Sequence, residues 1–90
     1  MKFEFDFKKS IGNLEKHGLS LDDAKALWNA PAVVLKARCV DEERFMMIGK
    51  IKGKFYSCIF TLRMDVIRLI SIRRSHEKEE KFYAQKIRVD

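Results

Sequence analysis

The sequence predicts an α+β fold with an N-terminal strand, two short helices, an antiparallel sheet of about four strands and a C-terminal helix. Three observations carry that expectation. Apolar residues recur at helical spacing only within residues 7–29 and 76–87. Between Ala32 and Arg73 they crowd into four runs joined by very short links, the pattern of a strand meander. The 90 residues are 47% hydrophobic and 36% charged, which suits one domain with its own core (residues 1–90) rather than a disordered chain.

Lys2 to Asp6 alternates, with Phe3 and Phe5 on one side and Glu4 and Asp6 on the other, as in a short half-buried strand. Asp6 can cap a helix by accepting hydrogen bonds from first-turn amides. Phe7, Ile11 and Leu14 then fall at helical spacing. Lys16 and His17 suit the negative end of the helix dipole, and Gly18 suits a left-handed cap. The first helix is therefore expected from about Phe7 to His17. Ser20 and Asp23 resemble a capping box. Leu21, Ala24, Leu27 and Trp28 form the stripe of a second helix, from about Leu21 to Asn29, which Pro31 prevents from continuing. The two form a helix–turn–helix-shaped hairpin, but a recognition helix for DNA would be polar and exposed. This one reads as core.

The four later strands are expected at Ala32 to Arg38, Glu43 to Ile51, Lys54 to Arg63 and Val66 to Arg73. The first is expected at an edge, and Lys52-Gly53 is expected to form a tight turn. Apolar residues fall at odd and even positions alike, so both faces of the sheet should be covered. The N-terminal helices can cover one, and the C-terminal helix or a partner protein the other. The last helix is expected from Ser75 or His76 to about Lys86, with His76, Glu79 or Glu80, Tyr83 and Ile87 along one side.

The net charge of +6 favours an anionic partner. Cys39 and Cys58 are too few and too far apart for a zinc motif or a disulfide framework. Cys58 reads as a buried thiol. No apolar run is long enough to span a bilayer, and the charged N-terminus lacks the apolar core of a signal peptide. The cytoplasm is thus the expected compartment, with no membrane partner. Gly-rich phosphate loops, a dinucleotide fingerprint, a nucleophile elbow and paired-cysteine metal sites are all missing. No cofactor and no metal are expected.

What remains is Asp65 to Tyr83, an apolar run that turns basic and then highly charged. It holds Arg68, Ser71, Arg73, Arg74, His76, Glu79 and Tyr83. Arginine forks can clamp a phosphodiester and stabilise charge gained in its transition state. A carboxylate, Tyr or His can move a proton if its pKa lies near neutrality. RNA cleavage needs no metal, since the substrate's 2′-hydroxyl can be the nucleophile. Arg68, inside an apolar strand, requires a partner such as Glu43, Asp65 or a bound phosphate. In a regular strand Arg68 and Arg74 share one face while Ser71 and Arg73 share the other. The four converge only with a bulge or twist. Glu43 and Arg44 can lie beside the last strand, and His17 is a candidate at the first helix's end. The alternative reading is a non-catalytic basic domain that docks nucleic acid or an acidic protein.

Three segments together resemble the BrnT family, the toxin half of a bacterial type II toxin–antitoxin module. FEFDFKKSIGNLEKHGLSLDDA is similar to the family's opening through Phe3, Phe5, Asp6, Lys9, Asn13, Lys16, His17, Gly18, Ser20 and Ala24. EERFMMIG resembles its middle segment through Glu43, Arg44 and Gly49. RLISIRRSHEKEEKFY resembles its last segment through Arg68, Ile70, Ser71, Arg73, Glu79 and Tyr83. The resemblance implies a RelE-like fold and a ribonuclease that cuts RNA and blocks translation. It also implies a BrnA-like antitoxin with a ribbon-helix-helix DNA-binding domain, through which DNA would be met only indirectly, in a two-plus-two assembly. Carried over by motif, Arg68, Ser71, Arg73, Glu79 and Tyr83 are the catalytic candidates. Arg44, Arg74, His17 and Glu43 stand behind them for RNA binding.

Overall fold

A computed structural model describes residues 1–87. Strand β1 (Lys2–Glu4) leads into helix α1 (Phe7–His17), a 3₁₀ helix η1 (Asp23–Asn29), strands β2 (Ala32–Ala37), β3 (Arg44–Ile51), β4 (Lys54–Arg63) and β5 (Val66–Arg74), and helix α2 (Glu77–Lys86). The sheet has five strands in the order β1-β5-β4-β3-β2. The expectation of about four antiparallel strands is corrected: β1 joins the sheet, parallel to β5, with Glu4 opposite Arg68. The pairs β2–β3, β3–β4 and β4–β5 are antiparallel, as a meander requires, and β2 is the expected edge. Lys52 and Gly53 both have positive φ (51° and 79°), which matches the right-handed twist of the flanking strands.

Local signals hold up where they rest on caps. The Asp6 carboxylate accepts from the Lys9 amide at 3.1 Å, and Gly18 adopts φ +80°. Ser20 and Asp23 form a reciprocal box, each backbone amide donating to the other's side chain at 2.9 and 3.1 Å. The second helix starts later than expected, at Asp23, and is wound as 3₁₀.

One face of the sheet carries η1. Leu21, Ala24 and Leu27 pack on Met47, Cys58, Phe60, Ile67, Leu69 and Ile72, with Trp28 edge-on between Phe3 and Phe60 at centroid distances of 5.2 and 5.1 Å. Gly49 lets η1 sit this close, since a Cβ there would lie 3.1 Å from Leu27 Cδ2. Cys58 is fully buried, and burial pushes its thiol up to about 12. The opposite face is covered only in part, by α2 near β2 and β3.

Helix α1 does not cover a sheet face with its apolar stripe. Phe7 is 73% exposed, and Ile11 and Leu14 are about half exposed, while Ser10 and Asn13 are buried. The buried polar pair explains the orientation. The Asn13 side chain accepts from the Ile72 amide (3.1 Å) and donates to the Ile72 carbonyl (2.8 Å) and the Leu19 carbonyl (2.7 Å). The Ser10 hydroxyl accepts from the Leu21 amide at 2.9 Å. Asn13 thus imitates a neighbouring strand along the part of β5 that β1 is too short to reach, and satisfies backbone groups that burial would otherwise leave unpaired.

Candidate active site on the face opposite the main core

The decisive local feature is a bulge. Phe60 pairs with Leu69 and Ile59 with Ser71, so Ile70 is an extra residue in β5. A bulge resets the alternation of side chains beyond it. Leu69 and Ile72 can then both point into the η1-side core, although they are three residues apart. By the same reset Arg68, Ser71 and Arg73 share the other face, the one that carries α2. Arg74 falls on the η1 side, its guanidinium 5.7 Å from the centre of the Tyr56 ring.

Arg73 is fixed most firmly. Its Nη1 and Nη2 donate to Glu79 Oε1 and Oε2, both at 2.8 Å, the two-pronged geometry that suits guanidinium and carboxylate. Glu79 is itself over-determined. Its Oε1 also accepts from the Ser57 hydroxyl at 2.8 Å and the His76 amide at 2.9 Å, and Ser57 bonds Ser75 at 2.7 Å. The Glu79 side chain is only 16% exposed. The Arg73 hydrogen bonds, with help from His76 and Ser57, outweigh burial and hold its carboxyl down at about 2. The same contact raises Arg73 above its already high value. Near neutrality this is a charged pair, not a proton shuttle.

Arg68 lies across from Thr61 and donates from Nη1 to Glu4 Oε2 at 2.7 Å. The expected partners Glu43 and Asp65 are therefore replaced by Glu4, which the parallel pairing of β1 brings alongside. Ser71 is half-buried beside Ile59, and its hydroxyl has no hydrogen-bond partner among the described residues. Arg44, at the level of Thr61, has Glu42 3.4 Å from its Nε. Glu43 contributes its carbonyl to the Thr61 hydroxyl (2.6 Å), while its carboxylate turns outward to Lys36 at 3.2 Å.

The arrangement leaves other candidates apart. Tyr83 packs edge-on against Phe55 at 5.0 Å, with its hydroxyl 3.5 Å from the Pro31 carbonyl, and touches neither Arg68 nor Arg73 among the described contacts. His17 is exposed at the end of α1. Sequence reasoning missed Glu4, Ser57 and Ser75. Glu4 was legible only as the polar side of a strand whose parallel pairing was not foreseen. Ser57, 1% exposed within an apolar run, carried the signal of a polar residue that must find a partner.

The family model of the ribonuclease toxin BrnT of type II toxin–antitoxin systems matches residues 5–79. The chain belongs to the BrnT family. The matched span contains α1, η1, the four antiparallel strands and the Arg73–Glu79 pair, and ends at Glu79; Tyr83 lies beyond it. No curated protein matches the chain. Among the described residues of this BrnT-family chain, no helix is long and apolar enough to cross a membrane. No group of three or more His, Cys, Asp or Glu among them could hold a metal ion.

Proposed function

We propose that this BrnT-family chain cleaves RNA on the α2-bearing face of its sheet, without a metal, and thereby inhibits translation. The observation that carries the reading is the bulge that sets Arg68, Ser71 and the Glu79-anchored Arg73 in one row on the same face. The scissile phosphate lies between the two guanidiniums. The neighbouring 2′-hydroxyl gives its proton to water and attacks phosphorus, the P–5′-O bond breaks to leave a 2′,3′-cyclic phosphate, the 5′-oxygen takes a proton from water, and the arginines neutralise charge that builds on the phosphoryl oxygens. Ser71 Oγ, free of other partners among the described residues, positions a phosphate oxygen. Glu79 is a positioning residue: being ionised and fully bonded, it fixes the Arg73 fork rather than accepting a proton. Glu4 does the same for Arg68, at a more exposed position. Tyr83 supports α2 through Phe55 and Pro31. Arg44 extends the cationic row, and Arg74, His17 and Glu43 stand outside the immediate site.

Toxins of this class are paired with an antitoxin, and the partner proposed here is BrnA-like, with a ribbon-helix-helix domain that alone contacts DNA, in a two-plus-two assembly in the cytoplasm. The outward apolar stripe Phe7, Ile11 and Leu14 supports a protein partner, since contiguous exposed apolar surface marks interaction sites. The test is incubation of purified protein with total RNA in EDTA, beside Arg73→Ala. Cleavage by the parent alone is the expected result. Cleavage by both refutes the assignment of Arg73. Binding without cleavage by either favours a non-catalytic basic domain.

A further inference from the structure

The sheet end next to Arg73 carries charge that the site described above does not use. Between Glu43 and Asp65 the chain has no acidic residue, yet the β3–β4 hairpin presents Lys50, Lys52 and Lys54. All three are exposed. Elsewhere most cations near the sheet are paired: Lys36 with Glu43, Arg44 and Arg63 with Glu42, Arg68 with Glu4 and Arg73 with Glu79. Lys50, Lys52, Lys54 and Arg74 have no ion-pair partner among the described residues.

One of these cations lies over a half-buried aromatic ring on the face that carries α2. Lys50 Nζ is 5.0 Å from the centre of Phe55, its partner in the β3–β4 register, whereas Arg74 and Tyr56 lie on the η1 side and are not part of the patch. Register joins the patch to the site. Phe55 and Ser57 share one face, Ser57 pairs with Arg73, and the Ser75 amide donates to the Phe55 carbonyl at 3.0 Å. Lys50 pairs with Phe55, which is two residues, about 7 Å along the strand, from Ser57 on the same face, a step that adjacent phosphates of one nucleic-acid strand can span. Cations that follow a backbone, beside an aromatic face, are what a single strand requires.

We infer that the β3–β4 hairpin, with Phe55, is the docking track that holds single-stranded RNA to one side of the scissile phosphate. This rests on the ribonuclease reading for its purpose, but not for its test. The lysines supply phosphate contacts and the Phe55 ring supplies base stacking, so the track gives affinity with little sequence preference.

The probe is a short 2′-O-methyl oligoribonucleotide, which lacks the nucleophile and cannot be cut. Its binding is followed by fluorescence anisotropy over a range of salt. The triple variant Lys50→Gln, Lys52→Asn, Lys54→Gln removes three charges, with Asn at the turn because it tolerates positive φ. A control variant, Lys2→Gln, Lys8→Gln, Lys9→Gln, removes three exposed charges at the other end of the sheet and on α1. The hairpin variant is expected to lose roughly tenfold or more in affinity and to flatten the log–log salt slope by about 2, at about 0.7 per phosphate contact. The control should move both far less. Equal losses in the two variants, or an unchanged slope in the hairpin variant, overturn the inference. If the parent cuts natural RNA while the hairpin variant binds the probe as the parent does, the track is wrong and the ribonuclease reading stands. If the parent never cuts RNA but the hairpin variant alone loses binding, the track stands and the ribonuclease reading falls.

Discussion

Replacing Glu79 by Gln keeps the size of the side chain and removes the charge that anchors Arg73, so it separates anchoring from proton transfer. The magnitude follows from the site. The Glu79 carboxyl is lowered from 4.5 to about 2, which at about 1.36 kcal/mol per pH unit corresponds to about 3 kcal/mol. Water still reaches both partners, so screening reduces the net value to about 1–2 kcal/mol. Because the folded-state value is the lower one, this stability is fully present above 4.5 and is lost as pH falls through about 2. Urea unfolding of parent and Glu79→Gln across that window is the assay. The parent should exceed the variant by about 1–2 kcal/mol near neutrality, about 4–8 °C in Tm for each kcal/mol, and the gap should close in acid. Turnover on RNA should fall in the variant, with no change in the shape of the pH–rate profile near neutrality, where Glu79 is already ionised. The reasoning is refuted if the stability gap is independent of pH between 4.5 and about 2. It is refuted equally if Glu79→Gln abolishes a limb of the profile near neutrality, which would make Glu79 the base.

Two further substitutions and a pair of deletions test the supports of the site. Asn13→Ala strips the Ile72 amide and carbonyl of their partners and should cost about 3 kcal/mol in thermal or urea unfolding, since unpaired buried groups are worth about 1–3 kcal/mol each. Gly49→Ala drives a Cβ to 3.1 Å from Leu27 and 3.3 Å from Ala32, and should cost about 1–3 kcal/mol by overpacking, measured in the same way. Deleting Ile70 should leave Arg68, Ser71 and Arg73 on one face and RNA cleavage intact, because it removes the residue without a β4 partner. Deleting Ile72 should abolish cleavage by shifting the Arg73 register.

The fold was legible where a single local mechanism decides an element. Gly18, Asp6, the Ser20–Asp23 box and Lys52-Gly53 mark ends and turns through their own backbone needs, and the structure uses each of them. What failed required knowledge of neighbours. Lys2–Glu4 is too short to announce its partner, so its parallel pairing with β5 was invisible, and with it the Glu4–Arg68 contact. The stripe Phe7, Ile11, Leu14 has the period of a buried helix face, but Asn13 and Ser10 make stronger demands. A carboxamide that can replace a missing strand turns the helix by its hydrogen bonds, and the apolar stripe is left outside.

The arginine-rich strand was legible as a candidate site because its residue types name their chemistry, but its geometry was hidden in a contradiction. Ile67, Leu69, Ile70 and Ile72 cannot all face one side of a regular strand, and neither can Arg68, Ser71 and Arg73. A reading of each set alone suggests apolar residues on both faces and a divided site. Taken together, the two sets change parity within the same interval, between residues 69 and 71. A single extra residue there restores both: Leu69 and Ile72 meet in the core, and Arg68 joins Ser71 and Arg73 opposite. Two independent patterns that break at one point are the sequence signature of a bulge. Here the packing of the core and the assembly of the candidate site require the same one.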